Sequence, residues 1–224
     1  HRQCRRQRQM CIRDRYIAAD GAELVEVEYE ELPVLVDPFE SLQSDVVLRE
    51  DLDPKADGAH GPRKHHNHIF TWEVGEKEAT EQVIDASDVV AEEMVYYHRT
   101  HPCPLETCGC VASMDKVNGK LTLYGTFQAP HAIRTVVSLI SGLEEHNIRV
   151  ISPDIGGGFG NKVGAYPGYV CSVVASIVTG VPVKWVEDRM ENLMTTAFAR
   201  DYWMKGKISA TKEGKITGLW CHTT

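Results

Sequence analysis

The sequence predicts an α+β fold in which mixed sheets are flanked by helices. Three observations carry this prediction: short apolar or alternating runs typical of strands, one amphipathic helical stripe, and a strand–loop–helix–strand unit built around a glycine run. Of the 224 residues, 42% are hydrophobic and 25% are charged, the balance of a globular protein with a core. No run of the sequence approaches the roughly 18 apolar residues of a membrane-spanning helix.

The first fifteen residues differ sharply in composition from the rest of the chain. They hold six Arg and one Asp, so the remainder has 18 basic against 31 acidic residues, a balance of −13. Such an acidic body argues against phosphate-backbone binding, and we expect no nucleic-acid partner. This leader could be a nucleic-acid arm, a transit peptide or a non-native translated segment. The abrupt change at Tyr16 favours the last interpretation.

Strand patterns dominate the part of the chain before the first predicted helix. Residues 22–36 alternate apolar and acidic side chains, which predicts a half-exposed strand, and Pro33 makes it an edge or terminal one. A polar, turn-rich stretch, residues 44–70, then predicts an exposed connection. Its histidines (His60, His65, His66 and His68) could form a metal tract, but a solvated linker is favoured, because no cysteine or spaced carboxylate completes a ligand set. Further strands are predicted over residues 69–74, 83–97 (with internal turns), 111–114 and 121–126.

The second half of the chain predicts two helices and a closing hairpin. Apolar residues from Ile133 to Leu143 recur at three and four positions, with Pro130 suited to the start of a helix and Gly142 to its end. A strand over residues 148–151, a helix near 169–178 and a strand over 181–186 enclose the glycine run. Residues 203–222 predict a hairpin that turns near Gly214.

The glycine run Asp154-Ile155-Gly156-Gly157-Gly158-Phe159-Gly160-Asn161-Lys162 is the most informative motif. Four glycines remove the Cβ atoms that keep other groups away from the backbone, and successive N–H groups can converge on an anion or a metal-bound oxygen. The spacing fits neither the dinucleotide fingerprint nor the P-loop. A tight turn for close helix–strand packing is the structural alternative.

Two further segments could contribute to a site. Gln128 follows a predicted strand and precedes a helix, where its amide could donate a hydrogen bond into a site at the strand ends. Cys103, Cys108 and Cys110 come close to an iron–sulfur spacing but miss it by one residue, so small buried cysteines in a strand are favoured over metal binding. Seven cysteines without an apolar signal sequence favour a reducing cytoplasm.

In this order, Pro104-Leu105-Glu106, Gln128 and the Gly156-to-Gly160 loop resemble the molybdenum hydroxylases of the xanthine oxidase/aldehyde oxidase family. The strings DIGGGFGNKVGAY, KWVEDRMENL and FARDY are similar to its carbon monoxide dehydrogenase branch. Purine hydroxylases usually continue the loop with a substrate-contacting Glu, whereas this chain has Asn161-Lys162-Val163. The resemblance therefore implies a small neutral substrate other than a purine.

The resemblance also implies roles for particular residues. Gln128 would hydrogen-bond an oxygen ligand of molybdenum, and the Gly157-Gly158-Phe159-Gly160 backbone would approach the second oxo group and the pterin edge. Phe159 would wall the substrate channel. Fixed donors of this kind withdraw electron density from metal–oxo ligands.

As a whole, the resemblance implies a fragment of a large subunit that oxidises CO with water to CO2. The implied cofactor is molybdopterin cytosine dinucleotide with molybdenum. Copper and the catalytic cysteine and glutamate would be held beyond residue 224. The implied partners are an iron–sulfur subunit and an FAD subunit, in a cytoplasmic hetero-oligomer whose peripheral attachment to the inner face of the membrane is left open.

The domain organisation implied by the resemblance is truncated at both ends. It comprises a non-native leader (residues 1–15), the C-terminal remnant of an α/β hammerhead domain (16–43), a linker (44–68) and an incomplete first molybdopterin-binding domain (69–224). An aldehyde or N-heterocycle hydroxylase of the same family is the first alternative, and a non-catalytic module that binds an anion or a partner is the second.

Overall fold

The computed structural model describes residues 9–11, 15–50 and 65–224. Most of the predicted leader, the centre of the predicted linker and His60 lie outside the described residues. The described chain forms two compact units, one from the described part of His1–Glu28 with Arg99–Arg200 and one from Tyr29–His98 with Asp201–Thr224. The predicted domain boundaries remain predictions.

Helices and strands are both present, as the sequence predicts. The described residues form six α-helices: α1 (Arg15–Glu23), α2 (Pro38–Ser41), α3 (Lys77–Asp85), α4 (Pro130–Ser141), α5 (Pro167–Thr179) and α6 (Arg189–Thr195). They also form eight strands: β1 (Gln9–Cys11), β2 (Val89–Tyr97), β3 (Gly109–Asp115), β4 (Lys120–Gly125), β5 (Ile148–Ile151), β6 (Val183–Val186), β7 (Tyr202–Ala210) and β8 (Ile216–Thr223). None of the described helices is long and apolar enough to cross a bilayer.

The first unit contains a five-stranded sheet in the order β1-β6-β3-β4-β5. Only β4 and β5 pair in parallel, so the predicted mixed sheet is confirmed. Helices α4 and α5 pack against the sheet and each other. The core holds Leu121, Leu123, Val173, Tyr169 and Trp185, all at most 3% exposed. Strand β1 adds three residues of the predicted leader to the sheet edge beside β6.

Proline and glycine set the ends of the two principal helices, and Pro130 and Gly142 do so as predicted. Pro130 and Pro167 occupy first-turn positions, where the missing N–H would have no helical partner. Gly142 and Gly180 end the helices in the left-handed region, with φ angles of 71° and 74°. The helices predicted near 133–143 and 169–178 are therefore confirmed.

The sheet topology brings four connecting segments to the same end of the sheet, where β4, β5 and β6 finish and β3 begins. Strand β5 is parallel to β4, whereas β3 is antiparallel to β4 and to β6. The segments that follow β4, β5 and β6 therefore leave the sheet at the same edge at which the segment before β3 enters it. Gln128, the glycine loop and Glu106 lie on three of these four segments. The strand directions explain why residues far apart in sequence can form one site.

The second unit is a three-stranded antiparallel sheet in the order β2-β7-β8. Strands β7 and β8 form the predicted closing hairpin, in which Gly214 has a φ of 85°. Helix α3 packs against β8, and Ile84 contacts the position where a Cβ of Gly218 would lie.

Three of the predicted strands are wrong in whole or in part. Residues 22–36 begin in the last turn of α1 and continue as irregular chain, and residues 69–74 also form no strand. The alternating side chains face solvent instead of a core; Leu24 is 84% and Val36 78% exposed. Residues 83–97 divide between α3 and β2, because the good helix formers of KEATEQVID favour a helix up to Asp85.

Candidate functional site

The glycine loop after β5 adopts a backbone that side chains disfavour. Gly157 and Gly160 have φ angles of 91° and 87°, and Phe159 is one of two described non-glycine residues with a positive φ, at 52°. The Asn161 N–H donates to the Gly158 carbonyl at 2.9 Å, which closes a turn within the loop. The ring of Phe159 is 75% exposed at this turn. The loop thus presents an aromatic side chain on a strained backbone.

Two glycines of the loop are required by close neighbours. A Cβ on Gly156 would lie 2.6 Å from the Cβ of Glu106, and one on Gly158 would lie 2.5 Å from Oε1 of Gln128. Real Cβ atoms do not approach other heavy atoms so closely. The glycines therefore allow Glu106 and Gln128 to contact the loop backbone directly. A tight turn alone would not require glycine at these two positions.

Gln128 is fixed in one orientation by the loop. Its Oε1 accepts hydrogen bonds from the N–H groups of Gly160, at 3.1 Å, and Lys162, at 3.0 Å. Its own N–H donates to the Lys162 carbonyl at 3.0 Å. Because two donors face Oε1, the amide nitrogen must occupy the other position. That nitrogen has no hydrogen-bond partner among the described residues, and the residue is exposed. Gln128 therefore offers two N–H donors to a ligand beside the loop.

Three successive backbone donors of the loop are also available. The N–H groups of Gly157, Gly158 and Phe159 have no acceptor within the described parts of the chain, whereas those of Gly156 and Gly160 bond to side chains. Consecutive backbone N–H groups of this kind can bind an anion or a metal-bound oxygen. All of the predicted site residues (Gln128, Gly157, Gly158, Phe159 and Gly160) thus lie together, while the identity of the ligand remains a prediction.

Glu106 and Lys162 hold the two ends of the loop. Oε2 of Glu106 accepts from the Gly156 N–H and from Nζ of Lys162, both at 2.7 Å. The Lys162 side chain is fully buried, whereas that of Glu106 is 41% exposed. Partial burial would raise the pKa of Glu106, but the hydrogen bonds from Lys162 and Gly156 outweigh it and hold the pKa below its usual range.

This lowered pKa gives an expected pH dependence of stability. A carboxyl group whose folded pKa is depressed contributes stability above its unfolded pKa, about 4.3, and that contribution is lost as the pH falls through the folded pKa. We therefore expect that, between about pH 5 and about pH 3, the free energy of unfolding falls less for Glu106→Gln than for the unsubstituted chain. Urea denaturation across this range measures the difference, and parallel pH profiles for the two proteins would contradict it.

A buried polar layer lies behind the loop. Asn161 is fully buried; its Nδ2 donates to Thr196 Oγ1 at 2.7 Å, and its Oδ1 accepts from Asn192 at 3.4 Å. Asn192 in turn donates to Glu187 at 2.6 Å, and Glu187 also accepts from the Cys108 N–H at 3.0 Å. This layer ties the loop to α6 and to the entry of β3. Buried polar groups of this kind must all find partners.

Helix α6 also supports the segment that carries Glu106. Asp188 and Glu191 form a capping box that satisfies the first N–H groups of the helix. The guanidinium of Arg189 donates to the carbonyl of Leu105 at 2.8 Å and to that of Pro104. The Pro104-Leu105-Glu106 segment is therefore fixed at two places. Arg189 binds its backbone carbonyls, and the glycine loop binds the Glu106 carboxylate.

Lys162, Asn161, Asn192 and Thr196 were not among the site residues predicted from the sequence. Their contacts join residues that lie 31 to 56 positions apart in the sequence, so no short-range spacing pattern predicts them. The one usable signal was the pair Asn161-Lys162 directly after the glycines, because a polar pair beside a tight backbone turn needs partners.

The cysteines divide between core and surface. Cys108 and Cys110 are buried, as expected, and desolvation raises the pKa of each thiol to about 12. The prediction of a buried cysteine is wrong for Cys103, which is exposed with a φ of 47°. In the ranges that the structure describes, no group of three or more His, Cys, Asp or Glu side chains could hold a metal ion.

These features define a site for an oxygen-rich or anionic ligand, in which the backbone N–H groups of the glycine loop and the amide of Gln128 act as donors. Among the described residues, no cluster of side chains could hold a metal ion directly. A family model for the molybdopterin cofactor-binding domain matches residues 60–224, and the chain belongs to this family.

Individual relatives show which members of the family this chain is similar to. The chain is 69% identical over 211 residues to the carbon monoxide dehydrogenase large chain of Afipia carboxidovorans and 65% identical over 207 residues to that of Hydrogenophaga pseudoflava. It is 35% identical over 210 residues to the nicotine 6-hydroxylase large subunit of Paenarthrobacter nicotinovorans. These matches cover 94%, 92% and 93% of this chain but only 26%, 26% and 24% of the relatives.

Solved structures agree with this placement. A structure of reconstituted CO dehydrogenase from Oligotropha carboxidovorans matches with a TM-score of 0.86 and 69% identity, covering 94% of this chain and 26% of that one. The match to quinoline 2-oxidoreductase from Pseudomonas putida 86 has a TM-score of 0.75, 27% identity and coverage of 94% and 25%. The predicted fold class is confirmed. The chain spans about a quarter of the length of these relatives.

Proposed function

We propose that this chain forms the molybdenum-cofactor-facing part of a carbon monoxide dehydrogenase large chain. The observation that carries the proposal is the arrangement of Gln128 beside the glycine loop, where its amide N–H groups and the N–H groups of Gly157, Gly158 and Phe159 have no acceptor among the described residues. The identities of 69% and 65% to two such large chains support the choice of enzyme.

The donors present fit the implied cofactor. Oxo ligands on a metal are hydrogen-bond acceptors, and the site offers neutral N–H donors, while the neighbouring Glu106 carboxylate is already bound by Gly156 and Lys162. The absence of a Cβ atom at Gly158 lets the Gln128 amide lie against the loop backbone, so that its nitrogen and the loop N–H groups can serve one ligand. Gln128 would donate to one oxygen ligand, and the Gly158, Phe159 and Gly160 backbone would lie along the second oxo group and the pterin edge.

The residues of this chain act by orientation and by electrostatics. The loop holds Oε1 of Gln128, so the amide nitrogen faces any bound acceptor without reorganising. The exposed ring of Phe159 can exclude water from one side of the site and limit the size of the substrate. When bound, molybdopterin cytosine dinucleotide would supply a molybdenum centre able to take two electrons from CO as water provides the second oxygen of CO2.

The rest of the proposal concerns the whole assembly. The copper named for a related Cu,Mo-CO dehydrogenase would be held by residues outside this chain, together with the catalytic cysteine and glutamate. An iron–sulfur subunit and an FAD subunit would accept the two electrons, and two protons would be released to solvent. We place the assembly in the cytoplasm, with peripheral contact at the inner face of the membrane as a further part of the proposal.

A chimera tests the proposed function. The stretch of the Afipia carboxidovorans large chain that matches this sequence is replaced by the 211 matched residues and produced with the other subunits of that enzyme. We expect about one molybdenum per large chain, as in a one-site cofactor domain, and CO-dependent dye reduction. The isolated 224-residue chain should retain little molybdenum and oxidise no CO. A folded, assembled chimera that lacks molybdenum would refute the proposal.

A further inference from the structure

The Glu106–Lys162 ion pair joins the two ends of the glycine loop through a single oxygen atom. Oε2 of Glu106 accepts from the backbone N–H of Gly156, where the loop begins, and from the ammonium of Lys162, where it ends. The backbone of Glu106 also donates to the Gly156 carbonyl at 3.2 Å. Neither contact is local, since Glu106 lies 50 residues from Gly156 and 56 from Lys162.

Burial makes the pair obligatory for the folded loop. The Lys162 side chain has no exposed surface, and Glu106 is its one ion-pair partner among the described residues. A buried ammonium left without a counter-charge is strongly unfavourable, so Lys162 holds the Glu106 carboxylate in place. The other nearby carboxylate, Glu187, is bound to the Cys108 N–H and to Asn192.

The opposite side of the loop is held by Gln128, which bonds the N–H groups of Gly160 and Lys162. Lys162 therefore belongs to both attachments, through its backbone to Gln128 and through its side chain to Glu106. The donors of Gly157, Gly158 and Phe159 lie between the attached ends. Their placement depends on both attachments.

From these contacts we propose that Glu106 and Lys162 are positioning residues, whose ion pair sets the spacing of the Gly157, Gly158 and Phe159 donors for an oxygen ligand of the cofactor. This inference rests on the proposed function and deepens it. The glycines permit the loop conformation, and the ion pair selects it. A pair that served stability alone would leave cofactor retention unchanged once stability was restored.

A double variant separates the two roles. Lys162→Met and Glu106→Gln each leave one partner of the pair uncompensated, and both single variants should be less stable than the unsubstituted chain. Combining them removes the buried charge with its partner and should recover much of that stability. We expect the double variant in the chimera to keep its fold but to retain roughly tenfold less molybdenum, because the loop is no longer held at Glu106.

Arg134→Gln is the matched control. Arg134 pairs with Glu145 at 2.9 Å in the same unit, with side chains 39% and 40% exposed. Glu145 precedes β5 whereas the glycine loop follows it, so the pair lies at the other end of this strand. Its removal should leave molybdenum retention unchanged. Full molybdenum retention in the double variant would overturn the inference, as would an equal loss in Arg134→Gln.

The 224-residue chain provides a second readout that needs no cofactor. We expect the amide chemical shifts of Gly157, Gly158 and Phe159 in a ¹H–¹⁵N spectrum to change in the double variant and to stay the same in Arg134→Gln. Unchanged loop resonances in the folded double variant would overturn the inference even if the chimera proved unstable. An unsubstituted chimera without molybdenum would count against the proposed function, whereas these spectra test the ion pair separately.

Discussion

Gly158→Ala is expected to impair cofactor retention in the chimera severely. A Cβ at this position would lie 2.5 Å from Oε1 of Gln128, which is held by two backbone N–H groups of the same loop. Either the amide leaves its position or the loop moves away, and both changes separate the glutamine donors from the backbone donors. We expect molybdenum content to fall roughly tenfold or more, with a stability loss of about 1–3 kcal/mol from overpacking.

Gly164→Ala is the control for this substitution. The nearest atom to its Cβ would be Cζ of Tyr166 at 3.5 Å, an ordinary contact, and the residue is exposed. It should keep both molybdenum and stability. Metal analysis of purified chimeras and urea denaturation of the 224-residue variants supply the two measurements. Normal molybdenum content in Gly158→Ala would show that Gln128 and the loop need not stay in contact.

Asn161→Ala is expected to lower the stability of the chain and to loosen the support behind the loop. The substitution removes one hydrogen bond from Thr196 Oγ1 and one from Asn192 Nδ2 in a buried layer. Thr196 keeps the Asn192 carbonyl as a partner, and Asn192 keeps Glu187, both at 2.6 Å. The loss of two buried hydrogen bonds gives an expected decrease of about 1–3 kcal/mol in the free energy of unfolding. The loop should also lose its attachment to α6.

Asn118→Ala provides the comparison, because Asn118 bonds Asp115 at 2.6 Å in an exposed turn between β3 and β4. Its replacement should lower the free energy of unfolding by less than about 1 kcal/mol, since water can satisfy the groups left behind. Urea denaturation of both variants at neutral pH measures the difference. Similar losses for the two variants would mean that the layer behind the loop is not a cooperative support.

The elements around the site could be predicted from local signals. Pro130, Gly142 and Gly180 act on the backbone of their own helices, and the β7–β8 hairpin follows from two strand patterns on either side of Gly214. The same logic was wrong for residues 22–36, where alternation of side chains does not lead to a paired strand among the described residues. Alternation specifies a strand only when a partner strand covers one face.

The supports of the site could not be predicted in this way. Glu106 meets Lys162, and Asn161 meets Thr196, because β3 runs antiparallel to β4 and β6 while β4 runs parallel to β5. No short window of sequence reveals these strand directions. The glycine run indicated close approach to its backbone without indicating which side chains make it. Gln128 was predicted because it ends a strand and because of the resemblance, and not from its contacts with the loop.

Phe159 has a consequence for how this protein would respond to selection in the laboratory. A benzyl side chain at a φ of 52° imposes a standing penalty of about 1–2 kcal/mol that glycine would avoid. A screen for thermostability alone should therefore select Phe159→Gly, a substitution that removes the aromatic ring from the loop. Under the proposed role of Phe159 beside the cofactor, stability and function favour different residues at this position, so stabilising substitutions should be sought elsewhere in the chain.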